Sequence, residues 1–271
     1  MGRGAEAAEE DVSEPLLQVA GVTKRFGGFT ALDQVDLVVA PGERLGLIGP
    51  NGSGKSTLVN CIAGTLRNDG GRIHFKGRDM AGDAAFKRVH LGVARTFQIP
   101  RPFASMSVID NLRIPLLYGG KGKWCQGRLF RDGDAPRKVV PDTIFPSATD
   151  EAMHILEQVG LRAKADAMSG GLTQVDMRKL ELARAIAAKP ALLIADEAMA
   201  GLSASEVDDI LALLFGMKER GVAVIMIEHV MRAVMKFSER IAVLVAGRKI
   251  ADADPQAVVA NPEVIAAYLG Q

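Results

Sequence analysis

Residues 45–57 read LGLIGPNGSGKST and decide how the rest of the chain is organised. Within them Gly49, Gly54, Lys55 and Ser56 satisfy the pattern G-x-x-x-x-G-K-[ST]. An apolar run precedes this loop and LVNCIA follows it, which is the strand, glycine loop and helix order of a phosphate-binding loop. Glycines let successive backbone N–H groups turn towards phosphate oxygens, and the positive end of the following helix strengthens the attraction. The stretch therefore predicts a phosphate site rather than an ordinary glycine-rich turn.

The loop pattern also assigns roles to side chains. Lys55 is predicted to reach the β- and γ-phosphates, and the Ser56 hydroxyl is predicted to ligate Mg²⁺. The other loop residues are predicted to bind nucleotide as well: Gly49, Pro50, Asn51, Gly52, Ser53, Gly54 and Thr57. Because such a loop would suit a kinase or a GTPase equally, residues elsewhere in the chain must decide the kind of enzyme.

The composition excludes several classes of protein. With 271 residues, 48% of them hydrophobic and 24% charged, the chain can bury a substantial core. A net charge of +1 gives no support to a broadly basic, nucleic-acid-binding surface. Cys61 and Cys125 have no spacing typical of a metal site and indicate a reducing compartment. No apolar run reaches the roughly 20 residues of a membrane span and the acidic start is unlike a secretory signal, so a cytoplasmic protein is expected.

Apolar patterning predicts two kinds of sheet. Residues 16–22 and 35–39 read as short strands separated by the turn-rich KRFGG and by ALDQ, and residues 71–76 read as an edge strand. Further along, continuous apolar runs alternate with helical segments, at residues 191–195, 222–227 and 241–245. Continuous apolar strands that alternate with helices indicate a parallel sheet covered on both faces.

Helix starts are indicated by capping residues. Thr173 and Asp176 occupy the N-cap and N3 positions before the helical run QVDMRKLELARAIAA, and Ser203 and Glu206 do so for the next helix. Residues 150–159 repeat apolar side chains along one helix face, and EVIAAYLG predicts a short helix near the end.

The predicted strand at residues 191–195 runs into a pair of acidic residues, Asp196 and Glu197. Ends of parallel strands face the crevice in which ligands bind. Asp196 is therefore placed to hold Mg²⁺ through water, and Glu197 to orient and deprotonate an attacking water. Acidic pairs also follow ordinary strands, and it is the complete phosphate loop upstream that favours the catalytic interpretation.

The segments GPNGSGKST, RTFQ, LELARAIA, LLIADE and IEH, in this order, resemble the nucleotide-binding subunit of ATP-binding-cassette (ABC) transporters. The resemblance runs from about residue 16 to the end of the chain. It implies an α/β fold, in which a P-loop NTPase core with a RecA-like parallel sheet carries an N-terminal antiparallel β-subdomain and an inserted α-helical subdomain. It also implies ATP and Mg²⁺ as cofactors, and ATP hydrolysis coupled to transmembrane transport.

The same resemblance assigns roles to three more residues. Phe26 would stack on the adenine ring, Gln98 would sense the γ-phosphate and Mg²⁺, and His229 would contact the γ-phosphate. Taken singly they could be a core aromatic, an exposed loop amide and a histidine at a strand exit, but the shared order of the motifs favours the functional roles. The expected catalytic residues are Lys55, Gln98, Glu197 and His229, and the expected metal ligands are Ser56, Gln98 and Asp196.

Beyond the cassette, RTFQIPRPFASMSVIDNL, DEAMAGLSASE and the tail from His229 look like the branched-chain amino-acid uptake group, which includes urea and amide transporters. The resemblance implies a second ATPase subunit, identical or paralogous, two membrane permeases and an external solute-binding protein, with no nucleic acid. The chain would then lie on the inner face of the plasma membrane. A similar tail occurs in the ATPase of lipopolysaccharide extraction, so the tail indicates the group better than the solute.

The family signature LSGGQ, which contacts the nucleotide of the opposite subunit, has a tempting match in MSGGL at residues 168–172. Counting back from Ala183, however, places the signature at residues 172–176, LTQVD. We therefore interpret MSGGL as a flexible lead-in. The residues expected to face the partner's nucleotide are Thr173, Gln174 and Val175.

Two departures from the family pattern affect what this chain offers a partner. Val175 stands where the signature has a glycine, and Ser203 stands where many cassettes have an aspartate. An ATP-gated assembly subunit whose hydrolysis is dispensable is therefore an alternative to a transport ATPase. A soluble cassette acting on ribosomes or DNA is a third interpretation. It is disfavoured because such proteins commonly carry two cassettes or long insertions, whereas this chain has one cassette and a predicted permease-facing loop at residues 101–106.

The expected domain organisation follows from these assignments. Residues 119–148 are dense in Gly, Pro and charge, and are interpreted as a solvated surface excursion or as a contact with anionic lipid or a membrane partner. The predicted divisions are a mobile leader (1–14), the β-subdomain with the first part of the core (15–98), the helical subdomain (99–180), the second part of the core (181–250) and a C-terminal tail (251–271).

Overall fold

The protein is built on two β-sheets, and we describe residues 14–97, 99–118 and 146–269 of its computed structural model. The strands are β1 (Leu17–Phe26), β2 (Phe29–Val39), β3 (Arg44–Ile48), β4 (Gly70–Phe75), β5 (Arg78–Asp79), β6 (Val93–Arg95), β7 (Leu192–Asp196), β8 (Ala223–Ile227), β9 (Arg240–Val245) and β10 (Arg248–Ala253). The helices are α1 (Lys55–Ala63), α2 (Ala85–Leu91), α3 (Val108–Tyr118), α4 (Pro146–Gln158), α5 (Gln174–Ala187), α6 (Ala204–Glu219), α7 (Met231–Phe237), α8 (Pro255–Ala260) and α9 (Pro262–Leu269).

The larger sheet has the strand order β10-β9-β3-β8-β7-β6 within the described residues. All neighbours in it are parallel except the β9–β10 pair. Along β7, Leu193 and Ala195 pack with the helical part of the chain, whereas Leu192 and Ile194 pack on the opposite side with α1 and the antiparallel sheet. Both faces are therefore buried, which explains the continuous apolar runs and confirms the predicted parallel sheet.

The smaller sheet is antiparallel, with the order β2-β1-β4-β5, and it corrects two predictions. Its first hairpin closes on Gly27 and Gly28, so KRF and ALDQ belong to strands rather than to turns. The polar residues of these segments are tolerated because an antiparallel sheet can expose one face to water. The strand predicted at an edge, β4, has neighbours on both sides, since it also pairs with the two-residue β5.

The helical part lies in sequence between β6 and β7, as expected for an inserted subdomain. Leu112 of α3, Leu156 of α4 and Leu180 of α5 are fully buried in one shared cluster. Helix α3 contains Pro115 and was not predicted from the sequence. The caps were predicted correctly: the Thr173 hydroxyl accepts the N–H of Asp176, and the Glu206 carboxylate accepts the N–H of Ser203.

The MSGGL lead-in was predicted to be flexible, but it contains a 3₁₀ turn, Ser169–Gly171. Ser169 is fully buried, and its hydroxyl donates to the carbonyl of Phe103 over 2.9 Å. Its N–H donates to the carbonyl of Met106, and the side-chain amide of Asn111 donates to its hydroxyl. These bonds attach the lead-in to the loop that precedes α3.

The C-terminal tail packs against the back of the phosphate loop. Val258 of α8 and Val264 of α9 share a buried cluster with Ile48, the last residue of β3, and with Val243 of β9. None of the helices within the described ranges has the length and apolarity that a membrane crossing requires. The predicted mobile leader falls outside the described residues except for Glu14, and the polar excursion does so up to residue 145.

Candidate functional site

The site lies where neighbouring parallel strands end. Strand β3 leads into the phosphate loop, β8 is followed by Glu228 and His229, β7 ends at Asp196, and β6 ends at Arg95. These strands are consecutive in the sheet order β3-β8-β7-β6, so their carboxyl ends lie side by side. This is the edge at which open parallel sheets bind ligands.

A cleft of about 300 Å³ opens at this edge. It is lined by Phe26, Phe29 and Ala31 of the antiparallel sheet, by loop residues 51–57, and by Glu197 and His229. The structure thus brings together most of the residues predicted from the sequence. Gly49, Pro50 and Asp196 are not among the lining residues, and Gln98 falls outside the described part of the chain.

The phosphate loop depends on glycine at two positions. Gly49 has φ 150°, and a Cβ there would lie 2.0 Å from the carbonyl oxygen of Leu244. Gly54 has φ 105°, and a Cβ there would lie 2.7 Å from the carbonyl oxygen of Ala31. Helix α1 begins directly after Gly54 with no side-chain cap, so its first N–H groups are available to phosphate oxygens.

Lys55 is a buried cation that donates to oxygens of the phosphate loop. It is the first residue of α1 and is 7% exposed. Its Nζ donates to the carbonyls of Gly49 (2.6 Å) and Pro50 (2.9 Å). No ion pair to Lys55 exists within the described ranges. Burial lowers the pKa of its ammonium group, and the charges of Glu197 and Asp196 oppose that shift. A buried ammonium at the start of an uncapped helix fits an anionic phosphate ligand.

Glu197 and His229 meet at the mouth of the cleft. His229 Nε2 lies 3.1 Å from Glu197 Oε1, although the two residues come from different strand ends. Glu197 has φ 47°, an unusual value for a side chain other than glycine, and its N–H donates to the carbonyl of Ile227. Arg178 of α5 donates to the carbonyl of Glu197 over 2.9 Å. The turn after β7 is therefore held from both sides, and the Glu197 carboxylate can accept a proton from a bound water.

Asp196 is engaged in a way that the sequence analysis missed. Its Oδ2 accepts a hydrogen bond from Arg95 Nη2 over 2.6 Å, and its N–H donates to the Thr96 hydroxyl over 3.1 Å. The signal was present in RTFQ, since Arg95 ends the strand next to β7 and Thr96 follows it directly. The Asp196 carboxylate and the Ser56 hydroxyl are hard oxygen donors of the kind that Mg²⁺ prefers.

Glu228 is a second residue that the sequence analysis missed. It is 3% exposed, and its Oε1 accepts the N–H of Met199 over 2.8 Å. Burial raises its pKa to about 7, the Met199 N–H opposes the rise and the charge of Glu197 adds to it. The segment after Glu197 is thereby tied to the residue before His229.

The predicted signature lies at the start of α5. Thr173 and Gln174 are exposed and Val175 is half-buried. The Thr173 hydroxyl also donates to the Asp176 carboxylate over 2.8 Å, and Lys164 pairs with the same carboxylate. The three residues are absent from the lining of the cleft, and their contact with a partner's nucleotide stays a prediction.

Comparison with known proteins gives consistent matches. The family model of ABC transporters matches residues 32–200, and that of the branched-chain amino acid ATP-binding cassette transporter matches residues 248–271. The high-affinity branched-chain amino acid transport ATP-binding protein BraF of Pseudomonas aeruginosa is 37% identical over 261 residues, which cover 96% of this chain and all of BraF. LivG of Escherichia coli K12, of the same description, is 36% identical over 265 residues, covering 96% of this chain and all of LivG.

Solved structures agree with the sequence matches. A nucleotide-free ATP-binding cassette from an ABC transporter superposes with a TM-score of 0.81 at 31% identity, covering 95% of this chain and all of that one. The ADP conformation of the cassette MJ1267 gives a TM-score of 0.80 at 31% identity, covering 96% of this chain and all of that one. The predicted fold is confirmed, and the chain belongs to the ATP-binding ATPase subunits of ABC transporters, within their branched-chain amino-acid group.

Proposed function

We propose that this chain hydrolyses ATP to power a membrane importer of branched-chain amino acids or related small polar solutes. The observation that carries the proposal is the cleft, in which the phosphate loop, Glu197 and His229 converge. The C-terminal match to the branched-chain group and the BraF and LivG relatives support the solute class. The importer would place this chain at the inner face of the plasma membrane.

The cleft residues have complementary roles in this proposal. Lys55 and the N–H groups at the start of α1 would bind the β- and γ-phosphates, and Ser56, Asp196 and Gln98 would hold Mg²⁺. The cation, when bound, offsets negative charge on the phosphoryl group. Glu197 takes a proton from the attacking water.

His229 and the cleft aromatics complete this chain's own half of the site. His229 orients the Glu197 carboxylate, to which it lies at hydrogen-bonding distance, and contacts the γ-phosphate. Phe26 stacks on the adenine ring, and the neighbouring Phe29 adds a second aromatic wall.

A second ATPase subunit supplies the remaining half of each site. Thr173, Gln174 and Val175 would face the nucleotide held by that partner, and the N–H groups at the start of α5 would contact its γ-phosphate. Two subunits would close head to tail around two ATP molecules. Closure expels water from the phosphates and strengthens each electrostatic contact.

The permease contact is proposed at the loop after β6. Ile99 and Phe103 are exposed apolar residues in this loop. Met168 is also exposed, and it pairs with Ser107, the last residue before α3, through an isolated β-bridge. Ser169 ties the loop to the segment before the signature. A movement of the loop would therefore be transmitted to α5. The ATP site and the permease could then both shift the position of this loop.

Transport by the purified complex tests the proposal. The tagged chain is used to isolate its membrane partners, the complex is placed in proteoliposomes, and uptake of radioactive leucine is measured with ATP inside or outside. We expect ATP-dependent uptake with the native chain and loss of uptake with K55A. Isolation of the complex with ribosomes or DNA in place of permeases would contradict the proposal.

An assembly subunit with dispensable hydrolysis is the second candidate. The observation that favours it is Val175, whose half-buried side chain stands at the start of α5 where the family signature has a glycine. Introducing K55A into this chain and into its partner in separate complexes distinguishes the two. Loss of uptake in both complexes supports a transport ATPase, and uptake retained only with K55A in this chain supports the assembly role.

A further inference from the structure

The Arg95 side chain joins three elements of the ATP site. Its Nη2 donates to Asp196 Oδ2 over 2.6 Å, and its Nη1 donates to Asn60 Oδ1 over 2.5 Å. Arg95 ends β6, Asp196 ends β7, and Asn60 belongs to α1, the helix of the phosphate loop. The pair is well shielded, since the arginine side chain is 13% exposed and the aspartate side chain 7%.

Thr96, the residue that follows β6, also holds Asp196. Its hydroxyl accepts the N–H of Asp196 over 3.1 Å, so Arg95 and Thr96 together fix the carboxylate and the backbone of Asp196. The guanidinium of Arg95 also lies 5.8 Å from the ring centre of Phe97. Arg95 therefore keeps two partners, Asn60 and Phe97, when Asp196 is removed from it.

We propose that Arg95 is a positioning residue that serves as the counter-ion of Asp196 until a divalent cation takes that carboxylate. The inference rests on the proposed role of Asp196 as a metal ligand. Without a counter-ion, Asp196 and Glu197 would present two adjacent negative charges to an incoming triphosphate. Arg95 lowers that repulsion and at the same time competes with the cation for Oδ2.

The proposed counter-ion role predicts a change in Mg²⁺ dependence that a purely structural arginine would not produce. Removing the guanidinium leaves Asp196 unneutralised, so metal-free ATP should bind more weakly. The cation should then bind the enzyme–ATP complex more tightly, because its competitor is gone. The two effects oppose each other, so the affinity for the fully metal-loaded nucleotide should change little.

Fluorescent methylanthraniloyl-ATP measures these affinities directly, without catalysis. Binding is titrated to the native chain and to R95Q, first in EDTA and then over a range of Mg²⁺ concentrations. We expect R95Q to weaken metal-free binding about tenfold and to lower the half-saturating Mg²⁺ concentration by a similar factor. Binding at saturating Mg²⁺ should stay within about threefold of the native value. Equal losses in EDTA and in saturating Mg²⁺ would overturn the inference.

Matched variants separate charge from packing. R113Q removes an arginine that is also 13% exposed and pairs with Asp110 over 2.8 Å, in helix α3 away from the cleft. It should leave the Mg²⁺ dependence unchanged, and the same shift in R113Q as in R95Q would contradict the assignment. R95K retains the positive charge and should hold metal-free binding within about threefold of the native chain. Should R95Q fail to fold, R95K still tests the inference, since a larger loss of metal-free binding in R95K would overturn it.

A variant of Asp196 tests the underlying function separately. In D196N the carboxylate is gone, so the dependence of nucleotide binding on Mg²⁺ should weaken whether or not Arg95 is present. An unchanged Mg²⁺ dependence in D196N would contradict the metal role of Asp196 itself. A changed D196N together with an R95Q that behaves like the native chain would contradict only the role of Arg95.

Discussion

Three acidic side chains, Asp196, Glu197 and Glu228, follow the ends of neighbouring strands, and their surroundings differ. Asp196 is paired with Arg95, Glu197 lies beside His229, and Glu228 is buried against the N–H of Met199. Burial raises the pKa of Glu228 to about 7. The same chemical group thus has three environments, which suit the proposed metal ligand (Asp196), the proposed base (Glu197) and a structural link (Glu228).

The buried Glu228 predicts a stability that depends on pH. Because its pKa is higher in the folded state, the folded chain binds the proton more tightly, and stability falls as pH rises from about 4.5 to about 7. E228Q keeps the acceptor for the Met199 N–H and removes the charge. We expect E228Q to be more stable than the native chain by about 3 kcal/mol at pH 8 and equal to it below pH 4.5.

Urea unfolding at both pH values measures this difference. E219Q, which changes an exposed glutamate of α6, is the matched control and should have the same stability as the native chain at each of the two pH values. If the stability difference between the native chain and E228Q is the same at all pH values, the Glu228 carboxyl titrates alike in the folded and unfolded chains, which contradicts the prediction.

The cleft aromatics predict nucleotide affinities. Phe26 and Phe29 are 49% and 63% exposed, and they face each other across the end of the first hairpin. We expect F26A to weaken ATP binding about tenfold, because the adenine loses a stacking surface worth about 1.4 kcal/mol. F29A should cost less, and V38A, which alters an exposed apolar residue of β2 outside the cleft lining, should cost nothing. A larger loss with F29A would move the stacking role to that residue.

Residues next to a recognisable motif could be assigned from the sequence, and residues that act through packing could not. Recognisable motifs contain Lys55, Glu197 and His229, and all three residues line the cleft. Phe29 could not be assigned to the cleft from the sequence, because the predicted strands at residues 16–22 and 35–39 stop short of the hairpin end that places it there. Glu228 lay inside the recognised IEH segment, but its burial depends on the position of Met199, which the sequence leaves open.

Among the elements, α5 connects both halves of the proposed mechanism. Its N-terminal residues form the predicted signature, and Arg178 in its second turn donates to the backbone of Glu197. The helix is fixed at its start by the Thr173 cap. A shift of α5 against a partner would therefore reach the catalytic turn after β7.

The cap of α5 gives a prediction at the element scale. T173A removes the acceptor for the Asp176 N–H and should lower the free energy of unfolding by about 1 kcal/mol, whereas T173S should retain it. D254A removes a comparable cap of α8, where the carboxylate accepts the N–H groups of Gln256 and Ala257. Both alanine variants should lose stability, but T173A alone should reduce ATP turnover. Equal turnover in T173A and D254A would argue against a signature role for Thr173.

The sequence predicted the parallel strands and most helices, because their apolar patterns and caps are local. Strands β7, β8 and β9 lie within a residue or two of the predicted runs. Helix α3 escaped prediction because Pro115 within it suggests a break, and its stability comes from buried contacts such as those of Leu112. The anchoring of Ser169 likewise depends on Phe103, a residue 66 positions away.

At the scale of the whole molecule, parts of the two sheets line one cleft, and the tail packs behind it. The antiparallel sheet contributes the aromatics, the parallel sheet contributes the phosphate loop and the acidic residues, and the tail packs behind Ile48. The side that bears Thr173 lines no part of that cleft. The residues of the predicted signature therefore lie outside this chain's own cleft.

The most direct test of the account is steady-state ATP hydrolysis by the purified chain carrying E197Q, measured together with ATP retention. The glutamine keeps the shape of the side chain but cannot accept a proton from water. We predict that turnover falls at least about a hundredfold, that ATP stays bound, and that ATP-dependent dimers accumulate in gel filtration. Turnover equal to that of the native chain would contradict the central claim that Glu197 is the base of an ATPase site.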